Sequence, residues 1–361
     1  MSKILLACGG TGGHLAPGIA LAESLQGQNH ETLLIVSSKI VDQQMTAKYS
    51  GLQFVAGRGR GFGPGLINKI LFFPSLLGAI FSSLNLVRQF RPSVLICFGG
   101  FMSLGPAIAC KLCGIPVLVH EANRRPGKAV RLIARFAQSI HLPQGVRIKN
   151  ISTERQHDSG FPVRKEIVLH SRESARQNLN FPITGRFILV TGGSQGAQVL
   201  TRWVENNQET FKQNNIHVLC LTGAGGREGE VVHASSVIRY STFCSQMGSA
   251  YSAADLAITR AGAGTLAELA KCHTPAILIP YPLAADDHQT ANALFAVDAG
   301  MALRVSEKDM AGLTQQVFDL LNQPVKLQTM REALTRVDAA NHWDEILKEV
   351  LVLTQSGGSA K

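Results

Sequence analysis

The chain has 361 residues, of which 45% are apolar and 17% are charged, which excludes a disordered protein and favours about two globular domains. Its net charge of +10 lies in the first half, because residues 1–164 hold 18 Lys and Arg against 6 Asp and Glu, whereas residues 165–361 hold 17 against 19. The first half therefore suits an acidic partner such as a membrane or a pyrophosphate, and the lack of basic residues interleaved with aromatic ones argues against nucleic acid.

Residues 1–164 alternate strand-like apolar runs with helical patterns, which is typical of a parallel, doubly wound sheet. The predicted strands there are Ile4–Cys8, Thr32–Val36, Gln53–Val55, Val94–Phe98, Val117–His120 and Ser139–Leu142. The turn-like segment Gly160–Arg164 predicts a hinge, and the alternation then restarts. The second set of predicted strands is Phe187–Thr191, His217–Thr222, Val237–Tyr240, Leu256–Thr259 and Ala276–Pro280.

The pattern divides the chain into a first domain of residues 1–164, a second of residues 165–340 and a C-terminal segment of residues 341–361. Helical patterns lie between the strands, for example over Gly18–Gln26 and Gly105–Cys113. A last helix over Asn341–Leu353 is expected to pack back on the first domain, and the small polar tail Gln355–Lys361 is expected to fray.

Cysteine usage indicates a reducing compartment. The seven cysteines are scattered through apolar runs, and Met1 leads directly into a strand, so we expect no secretory leader and free thiols in the cytosol. Cys110 and Cys113 form an isolated C-x-x-C pair, for which a buried structural role is favoured over zinc binding.

A glycine-rich turn follows the first predicted strand. Gly9, Gly10, Thr11, Gly12 and Gly13 separate this strand from His14 and a helical pattern. Free backbone N–H groups and the positive end of a helix dipole make such a turn suitable for an anion. No acidic residue ends the second predicted strand, which argues against a dinucleotide redox enzyme.

The stretch Gly192–Ala197 nearly repeats this turn in the second half. Ligands bind open α/β sheets outside the carboxyl ends of the strands, so each turn is expected to line one wall of a shared cleft. The two halves of the chain would then face a common, negatively charged ligand.

Two residues in the first half are candidates for a general base. His14 lies where the turn meets the helix, and we favour a catalytic role over helix capping there. Glu121 ends a predicted strand on the same edge, where it either orients His14 or acts as the base itself. The sequence leaves this choice open.

The second half offers side chains that suit a nucleotide sugar. Arg260 can supply a bidentate cation to phosphate, and Glu268 can accept hydrogen bonds from ribose hydroxyls, although a glutamate near a helix start is also common. Gln289 and Asn292 share one helix face, where amides suit sugar hydroxyls or simply face solvent. The chain has no D-x-D motif, so we expect no metal in the site.

The apolar stretch Ile70–Val87 raises the question of membrane contact. Pro74, Gly78 and several polar residues argue against a membrane-spanning helix. One alternative is an amphipathic helix packed on its own sheet. The alternative that we favour is that the region Ile67–Phe81 binds an anionic membrane surface. The side chains expected to make this contact are Phe72, Phe73, Leu76 and Ile80, with Arg58, Arg60, Lys69 and Arg88 nearby.

Taken in order, these motifs resemble the two-domain GT-B glycosyltransferases, and among them the peptidoglycan enzymes that glycosylate a lipid-linked muramoyl-pentapeptide. The matching stretches are Gly9–His14 with Pro17 and Gly18, Phe98–Phe101, His120–Asn123, Gly160–Arg164, Gly192–Ala197, and Arg260–Glu268 with Gln289 and Asn292. The resemblance covers nearly the whole chain. It implies two Rossmann-like, doubly wound parallel-sheet domains that face each other across a cleft.

The resemblance also implies roles for single residues. Arg164 and Ser194 would contact phosphate, the backbone of Cys244 the uracil, Glu268 the ribose and Gln289 the sugar. The donor-binding set implied is Thr11, Gly12, Gly13, Asn123, Arg164, Ser194, Cys244, Arg260, Ala263, Gly264, Thr265, Leu266, Glu268, Gln289 and Asn292. The acceptor pyrophosphate would bind Gly10, Thr11, Gly12 and Gly100, and the catalytic pair would be His14 and Glu121.

The activity implied is inverting transfer of N-acetylglucosamine from UDP-N-acetylglucosamine to undecaprenyl-pyrophosphoryl-N-acetylmuramoyl-pentapeptide, without cofactor or metal. The expected location is peripheral, on the cytoplasmic face of the plasma (inner) membrane, with cell-wall and cell-division proteins as partners. Two alternatives stay open: a UDP-N-acetylglucosamine 2-epimerase on the same fold, and a non-catalytic nucleotide-sugar-binding subunit. The apolar, basic first domain argues against the former, and the presence of His14 and Glu121 against the latter.

Overall fold

The computed structural model describes residues 1–9, 12–37, 45–57, 66–193 and 196–356. The chain forms two compact units, one made of Met1–Arg164 with Asn341–Lys361 and the other of Lys165–Ala340. Each unit contains its own sheet of seven strands in the described residues, with helices on its faces.

The sheet of the first unit is parallel throughout. Its strands are β1 Lys3–Ala7, β2 Glu31–Val36, β3 Gln53–Ala56, β4 Val94–Cys97, β5 Val117–His120, β6 Ser139–Leu142 and β7 Gln156–Asp158. They lie in the order β3-β2-β1-β4-β5-β6-β7. The central strands are buried apolar runs, as expected for a sheet that helices cover on both faces.

Helices cover both faces of this sheet. They are α1 Gly12–Gln26, α2 Leu66–Phe90, α3 Leu104–Leu112 and α4 Lys128–Ile133. On one face α2, α3 and α4 contribute Val87, Ala107 and Ile133 to a common core, and on the other α1 contributes Leu15 and Ile19. No helix in the described ranges is both long and apolar enough to cross a bilayer.

The sheet of the second unit is parallel except at one edge. Its strands are β8 Arg186–Thr191, β9 Ile216–Leu221, β10 Gly229–Val232, β11 Val237–Ser241, β12 Leu256–Thr259, β13 Ala276–Leu278 and β14 Ala302–Arg304. The order is β10-β11-β9-β8-β12-β13-β14, and only the pair of β10 and β11 is antiparallel within the described strands.

Eight helices surround this sheet in the described residues. They are α5 Arg172–Asn178, α6 Gln198–Asn206, α7 Gln208–Gln213, α8 Met247–Ala253, α9 Ala263–Lys271, α10 His288–Asp298, α11 Leu313–Leu321 and α12 Pro324–Ala339. Trp203 of α6, Val317 of α11 and Met330 of α12 pack in one core with the strands. This core is separate from those of the first unit.

The last helix, α13 (Asp344–Ser356), returns to the first unit, where Ile346 and Val350 join the core around α1. A polar contact accompanies this packing. Glu349 Oε2 lies 2.8 Å from His141 Nε2 and accepts a hydrogen bond of 2.8 Å from Ser139 Oγ on β6. Burial alone would raise the pKa of the Glu349 carboxyl, but the hydrogen bond from His141 keeps it below its usual value.

The structure confirms two doubly wound α/β sheets. The sequence missed β7, β10 and β14, three short strands at sheet edges, and β10 makes the second sheet mixed instead of wholly parallel. The first helix begins at Gly12 instead of Gly18, and the last ends at Ser356 instead of Leu353. The predicted frayed tail therefore begins inside a helix, and its residues 357–361 lie outside the described chain.

Candidate active site

The strand order of the first unit reverses between β1 and β4, which is where a doubly wound sheet leaves a crevice at its carboxyl edge. From there β1 leads through Gly9 towards α1, and β4 leads to Gly99 and Gly100. The hydroxyl of Ser103 lies 2.6 Å from the carbonyl oxygen of Gly99 and 3.3 Å from that of Ala7. This contact ties the loop that follows β4 to the end of β1.

His14 lies in the first turn of α1, half-buried against the Gly99–Gly100 loop. A β-carbon placed on Gly99 would lie 3.2 Å from His14 Nε2, and one on Gly100 would lie 3.4 Å from Nδ1. Gly100 has a φ of +73°, and a β-carbon there would also lie 2.7 Å from the carbonyl oxygen of Gly9. The fold thus brings together His14 and Gly100, two of the predicted site residues.

Glu121 and Asn123 also meet, in the loop that follows β5. One carboxylate oxygen of Glu121 accepts hydrogen bonds from Asn123 N at 2.8 Å and from Asn123 Nδ2 at 2.9 Å. The other accepts one of 2.8 Å from Gly127 N. Because these donors use acceptor positions on both oxygens, the geometry favours a role for Glu121 in shaping the loop over one as the base.

His120, the last residue of β5, lies between this loop and the predicted hinge. Its Nε2 is 3.1 Å from the carbonyl oxygen of Gly160, so Nε2 carries the proton, and its ring contacts those of Phe98 and Phe161. Burial lowers the pKa of His120 to about 4, so the ring is neutral at physiological pH. Asn341 pairs with the same segment, accepting from Phe161 N at 2.7 Å and donating to Phe161 O at 3.1 Å.

In the second unit the strand order reverses between β8 and β12. The carboxyl end of β8 leads to the second glycine-rich turn, and that of β12 leads to Arg260. Within this turn Gly196 donates to the carbonyl oxygen of Gly193 at 3.0 Å. Gly196 has a φ of +71°, and a β-carbon there would collide with the carbonyl oxygen of Thr222. The neighbouring loop therefore limits this turn position to glycine.

Arg260 is buried, and carbonyl and carboxylate oxygens surround its guanidinium. Its Nη1 donates to Ile279 O at 3.1 Å and lies 2.5 Å from Glu307 Oε2, while the group stacks over the ring of Tyr281. These contacts tie the end of β12 to the segment that follows β13. The geometry therefore favours a supporting role over the direct phosphate contact predicted for Arg260.

Glu268 lies in the second turn of α9, where it is buried and accepts a hydrogen bond of 3.1 Å from the phenol of Tyr251. Because Glu268 lies beyond the first turn, where the helix-dipole effect has fallen off, the alternative of a dipole-stabilising glutamate is the weaker one. The helix begins after Gly262, which has no side chain to cap the first N–H groups of the helix.

Gln289 and Asn292 share α10, but their contacts differ. Gln289 is partly exposed, and its Oε1 accepts a hydrogen bond of 2.9 Å from Tyr281 N, an arrangement that uses the carbonyl end of its amide. Asn292 is buried, and its Nδ2 donates to Ala261 O at 3.0 Å. Asn292 thus supports the loop after β12, whereas Gln289 lies where it can meet a ligand.

The other predicted residues lie as follows. Gly12 and Gly13 open α1, and Ala263, Gly264, Thr265 and Leu266 form the first turn of α9. Arg164 is half-buried at the end of the first unit, and Cys244 is half-buried in the loop between β11 and α8. Gly10, Thr11 and Ser194 lie outside the described residues, as do Arg58 and Arg60.

The outer face of α2 differs from the prediction. Phe72 is buried and packs its ring against Phe101, and Leu76 rests on the core, so neither belongs to an outer face. The exposed stripe consists of Phe73, Leu77 and Phe81, which are 65%, 57% and 66% exposed. Their spacing of four residues places them along one side of the helix. Side chains 66–71, including Lys69, are not described.

Over the described residues, no group of three or more His, Cys, Asp or Glu side chains is arranged to hold a metal ion. Cys110 is buried, and burial raises the pKa of its thiol to about 12, whereas Cys113 is exposed. The structure thus gives the two residues of the C-x-x-C pair different surroundings.

Two supporting residues escaped the sequence analysis. Tyr251 lies in a stretch of small residues. Its large aromatic side chain was the only feature of this stretch that could have indicated a supporting role. Glu307, the partner of Arg260, lies 47 positions further along the chain and belongs to no motif.

Comparisons with known proteins cover both units. The family model for the glycosyltransferase family 28 N-terminal domain matches residues 4–142, and that for the C-terminal domain matches residues 187–346. The chain is similar to two proteins named UDP-N-acetylglucosamine–N-acetylmuramyl-(pentapeptide) pyrophosphoryl-undecaprenol N-acetylglucosamine transferase. The one from Opitutus terrae is 40% identical over 100% of this chain and 97% of its own length. The one from Xylella fastidiosa (strain Temecula1) is 34% identical over 95% of this chain and 96% of its own length.

A solved structure is similar as well. The crystal structure of Acinetobacter baumannii MurG matches with a TM-score of 0.71 and 24% identity, over 98% of this chain and 100% of that one. At this level of identity the match supports the fold.

The buried, neutral His120 predicts an acid-sensitive first unit. Its pKa is about 4 in the folded chain against an unfolded value of 6.5, so the unfolded state binds the proton more readily and stability falls as pH drops below about 6.5. By pH 5 we expect His120 to reduce the free energy of unfolding by about 2 kcal/mol. His120→Gln, which keeps an N–H donor for Gly160, should remove that part of the pH dependence.

Unfolding in urea is measured at pH 7 and at pH 5. The signal is the fluorescence of Trp343 in a Trp203→Phe background, because Trp343 packs in the first unit. His342→Gln is the matched control, since His342 is exposed. An unchanged pH dependence in His120→Gln would contradict the assignment.

Proposed function

This chain belongs to glycosyltransferase family 28, and we propose that it transfers N-acetylglucosamine from UDP-N-acetylglucosamine to the muramoyl sugar of undecaprenyl-pyrophosphoryl-N-acetylmuramoyl-pentapeptide. The observation that carries this proposal is the full-length similarity to relatives named for that transfer. The arrangement of polar groups at the two strand-order reversals supports it.

In this proposal the second unit binds the donor. The N–H groups of the first turn of α9 meet the diphosphate, Glu268 accepts hydrogen bonds from the ribose, and Gln289 contacts the sugar. Cys244 provides backbone contacts to the uracil, and Ser194 contacts phosphate, as does Arg164, the last residue of the first segment of the first unit. Arg260 and Asn292 support these groups through Ile279 and Ala261.

The first unit supplies the acceptor site and the base. The loops after β1 and β4, with Gly10, Thr11, Gly12 and Gly100, bind the acceptor pyrophosphate. His14 is the base, because it is half-buried beside these loops, whereas the carboxylate of Glu121 already holds Asn123 and Gly127. Glu121 acts as a positioning residue for Asn123.

The reaction is a single displacement at the anomeric carbon. The acceptor hydroxyl oxygen forms the new bond to this carbon while the bond to the β-phosphate oxygen breaks, and UDP leaves with the electron pair. The hydroxyl proton passes to the imidazole of His14. The charge that grows on UDP is stabilised by the N–H groups at the start of α9, and the chemistry proceeds with inversion and without a metal.

The first unit also binds the membrane that holds the acceptor. The stripe of Phe73, Leu77 and Phe81 exposes apolar rings and an aliphatic side chain, and Arg88 lies exposed in the last turn of the same helix. Buried apolar area together with attraction between basic residues and anionic lipids gives reversible binding. We place the protein on the cytoplasmic face of the plasma membrane, where cell-wall and division proteins are its partners.

The transfer itself is tested by incubating the protein with UDP-N-acetylglucosamine and the undecaprenyl-linked acceptor. We expect acceptor-dependent release of UDP and an acceptor heavier by one N-acetylhexosamine, with no loss of rate in EDTA. Conversion of the donor alone to its manno epimer would indicate the epimerase, and binding without UDP release would indicate a non-catalytic subunit.

The roles of His14 and Glu121 are separated by substitution. His14→Ala should lower kcat at least about 100-fold, because a general base is lost, with UDP affinity changed less than about twofold. Glu121→Gln should lower thermal stability and kcat but retain the acidic limb of the pH profile that His14 sets. Loss of that limb in Glu121→Gln, with turnover retained in His14→Ala, would assign the base to Glu121.

Membrane binding is tested with vesicles that contain anionic lipid. Replacing Phe73 and Phe81 together by Ser should weaken binding at least about tenfold, because two exposed aromatic rings lose their burial in the bilayer. Val325→Ser, at an exposed apolar position of the second unit, is the matched control. Equal binding of the double variant and the control would show that α2 does not contact the bilayer.

A further inference from the structure

A buried tyrosine contacts the acidic residue of the proposed donor site. Tyr251 on α8 is 2% exposed, and its phenol donates a hydrogen bond of 3.1 Å to Oε2 of Glu268, which is 9% exposed. A carboxylate accepts hydrogen bonds at both oxygens, and those from an O–H group to an ionised oxygen are among the stronger kinds. The phenol therefore favours one orientation of the Glu268 side chain.

The helix that carries Tyr251 is itself firmly held. Its first turn packs so closely that a β-carbon on Gly248 would lie 2.7 Å from the carbonyl oxygen of Glu166. Asn178 donates to the hydroxyl of Ser249 at 3.2 Å, and Thr274 donates to the carbonyl oxygen of Tyr251 at 2.9 Å. Because these contacts fix the backbone of α8, the phenol of Tyr251 is held on a rigid helix.

We propose that Tyr251 is a positioning residue for nucleotide recognition, which holds the carboxylate of Glu268 in the orientation that meets the two ribose hydroxyls. The inference rests on the proposed function, which assigns Glu268 to the ribose. Preordering the carboxylate lowers the entropy lost on binding and favours ribose over 2′-deoxyribose. The loop before α8 carries Cys244, so one rigid helix links the proposed uracil contact to the proposed ribose contact.

If Tyr251 had a purely structural role, a different result would be expected. If the phenol only filled the core and satisfied a buried carboxylate, its loss would weaken the binding of every uridine nucleotide by one common factor. A positioning role acts through the ribose hydroxyls, so its loss should have much less effect on a ligand that lacks one of them. The two roles are distinguished by changing the residue and the ligand together.

The experiment measures binding of UDP and of 2′-deoxyuridine diphosphate to the full chain by isothermal titration calorimetry. In the unsubstituted protein we expect UDP to bind at least about tenfold more tightly. Tyr251→Phe should weaken UDP binding by about fivefold to tenfold and reduce the preference over the deoxy ligand to about threefold or less. KM for the donor should rise more than kcat falls.

The matched control is Tyr240→Phe. Tyr240 is also a buried tyrosine of the second unit, but its hydroxyl accepts a hydrogen bond of 2.9 Å from Gln208, which has no place in the proposed site. We expect a similar loss of thermal stability in both variants and an unchanged ligand preference in Tyr240→Phe. An equal loss of affinity for the two ligands in Tyr251→Phe, or no loss at all, would overturn the proposal.

Glu268→Gln separates this inference from the function on which it rests. If Glu268→Gln loses the preference for UDP while Tyr251→Phe keeps it, Glu268 binds the ribose and only the role of Tyr251 fails. If Glu268→Gln keeps the full preference, the assignment of Glu268 to the ribose fails and this inference fails with it, while transfer to the lipid-linked acceptor is tested separately.

Discussion

The carboxyl edge of a parallel sheet is the constraint on which both candidate sites depend. Where the strand order reverses, neighbouring connections leave on opposite faces, and no helix covers the gap between them. In the first unit this gap lies beside His14 and the Gly99–Gly100 loop, and in the second beside the turn at Gly196 and the start of α9. Glycines let the backbone come close at these points, so N–H groups instead of side chains meet a ligand. A site of this kind suits phosphates, which need several donors and little else.

Two buried carboxylates near these edges differ in the hydrogen-bond donors described around them. Glu121 accepts hydrogen bonds from two backbone N–H groups and one amide of a single loop, so its charge stabilises that loop. Glu268 accepts a hydrogen bond from a phenol on another helix, an arrangement that favours one orientation of its side chain. Burial would make either charge costly without such donors. The described donors thus tie Glu121 to its own loop and Glu268 to a neighbouring helix.

Much of the fold followed from the sequence, because buried parallel strands are apolar runs bounded by glycine-rich turns, and such runs mark β1, β4, β8 and β12 clearly. The edge strands β7, β10 and β14 could not be found this way, since they are three or four residues long and two of them are mostly polar or exposed. The predicted outer face of α2 included the exposed Phe73 but also Phe72 and Leu76, which lie against the core, because an apolar run that continues around the helix does not show which side faces the core.

The candidate site was predictable as a set of positions, but the contacts of single residues were not. Arg260 and Asn292 lie in motifs that suggest ligand contact, yet the side-chain contacts described for them include Ile279, Glu307 and Ala261 of their own unit. A sequence motif can contain residues that contact a ligand and residues that hold those side chains in place. Both kinds are polar and lie close to the same loop. Only the position of the hydrogen-bond partner separates them, and a partner such as Glu307 lies too far along the chain for any local pattern to include it. Support of this kind fixes the loop that leads into α9 and the segment after β13 that contacts Gln289.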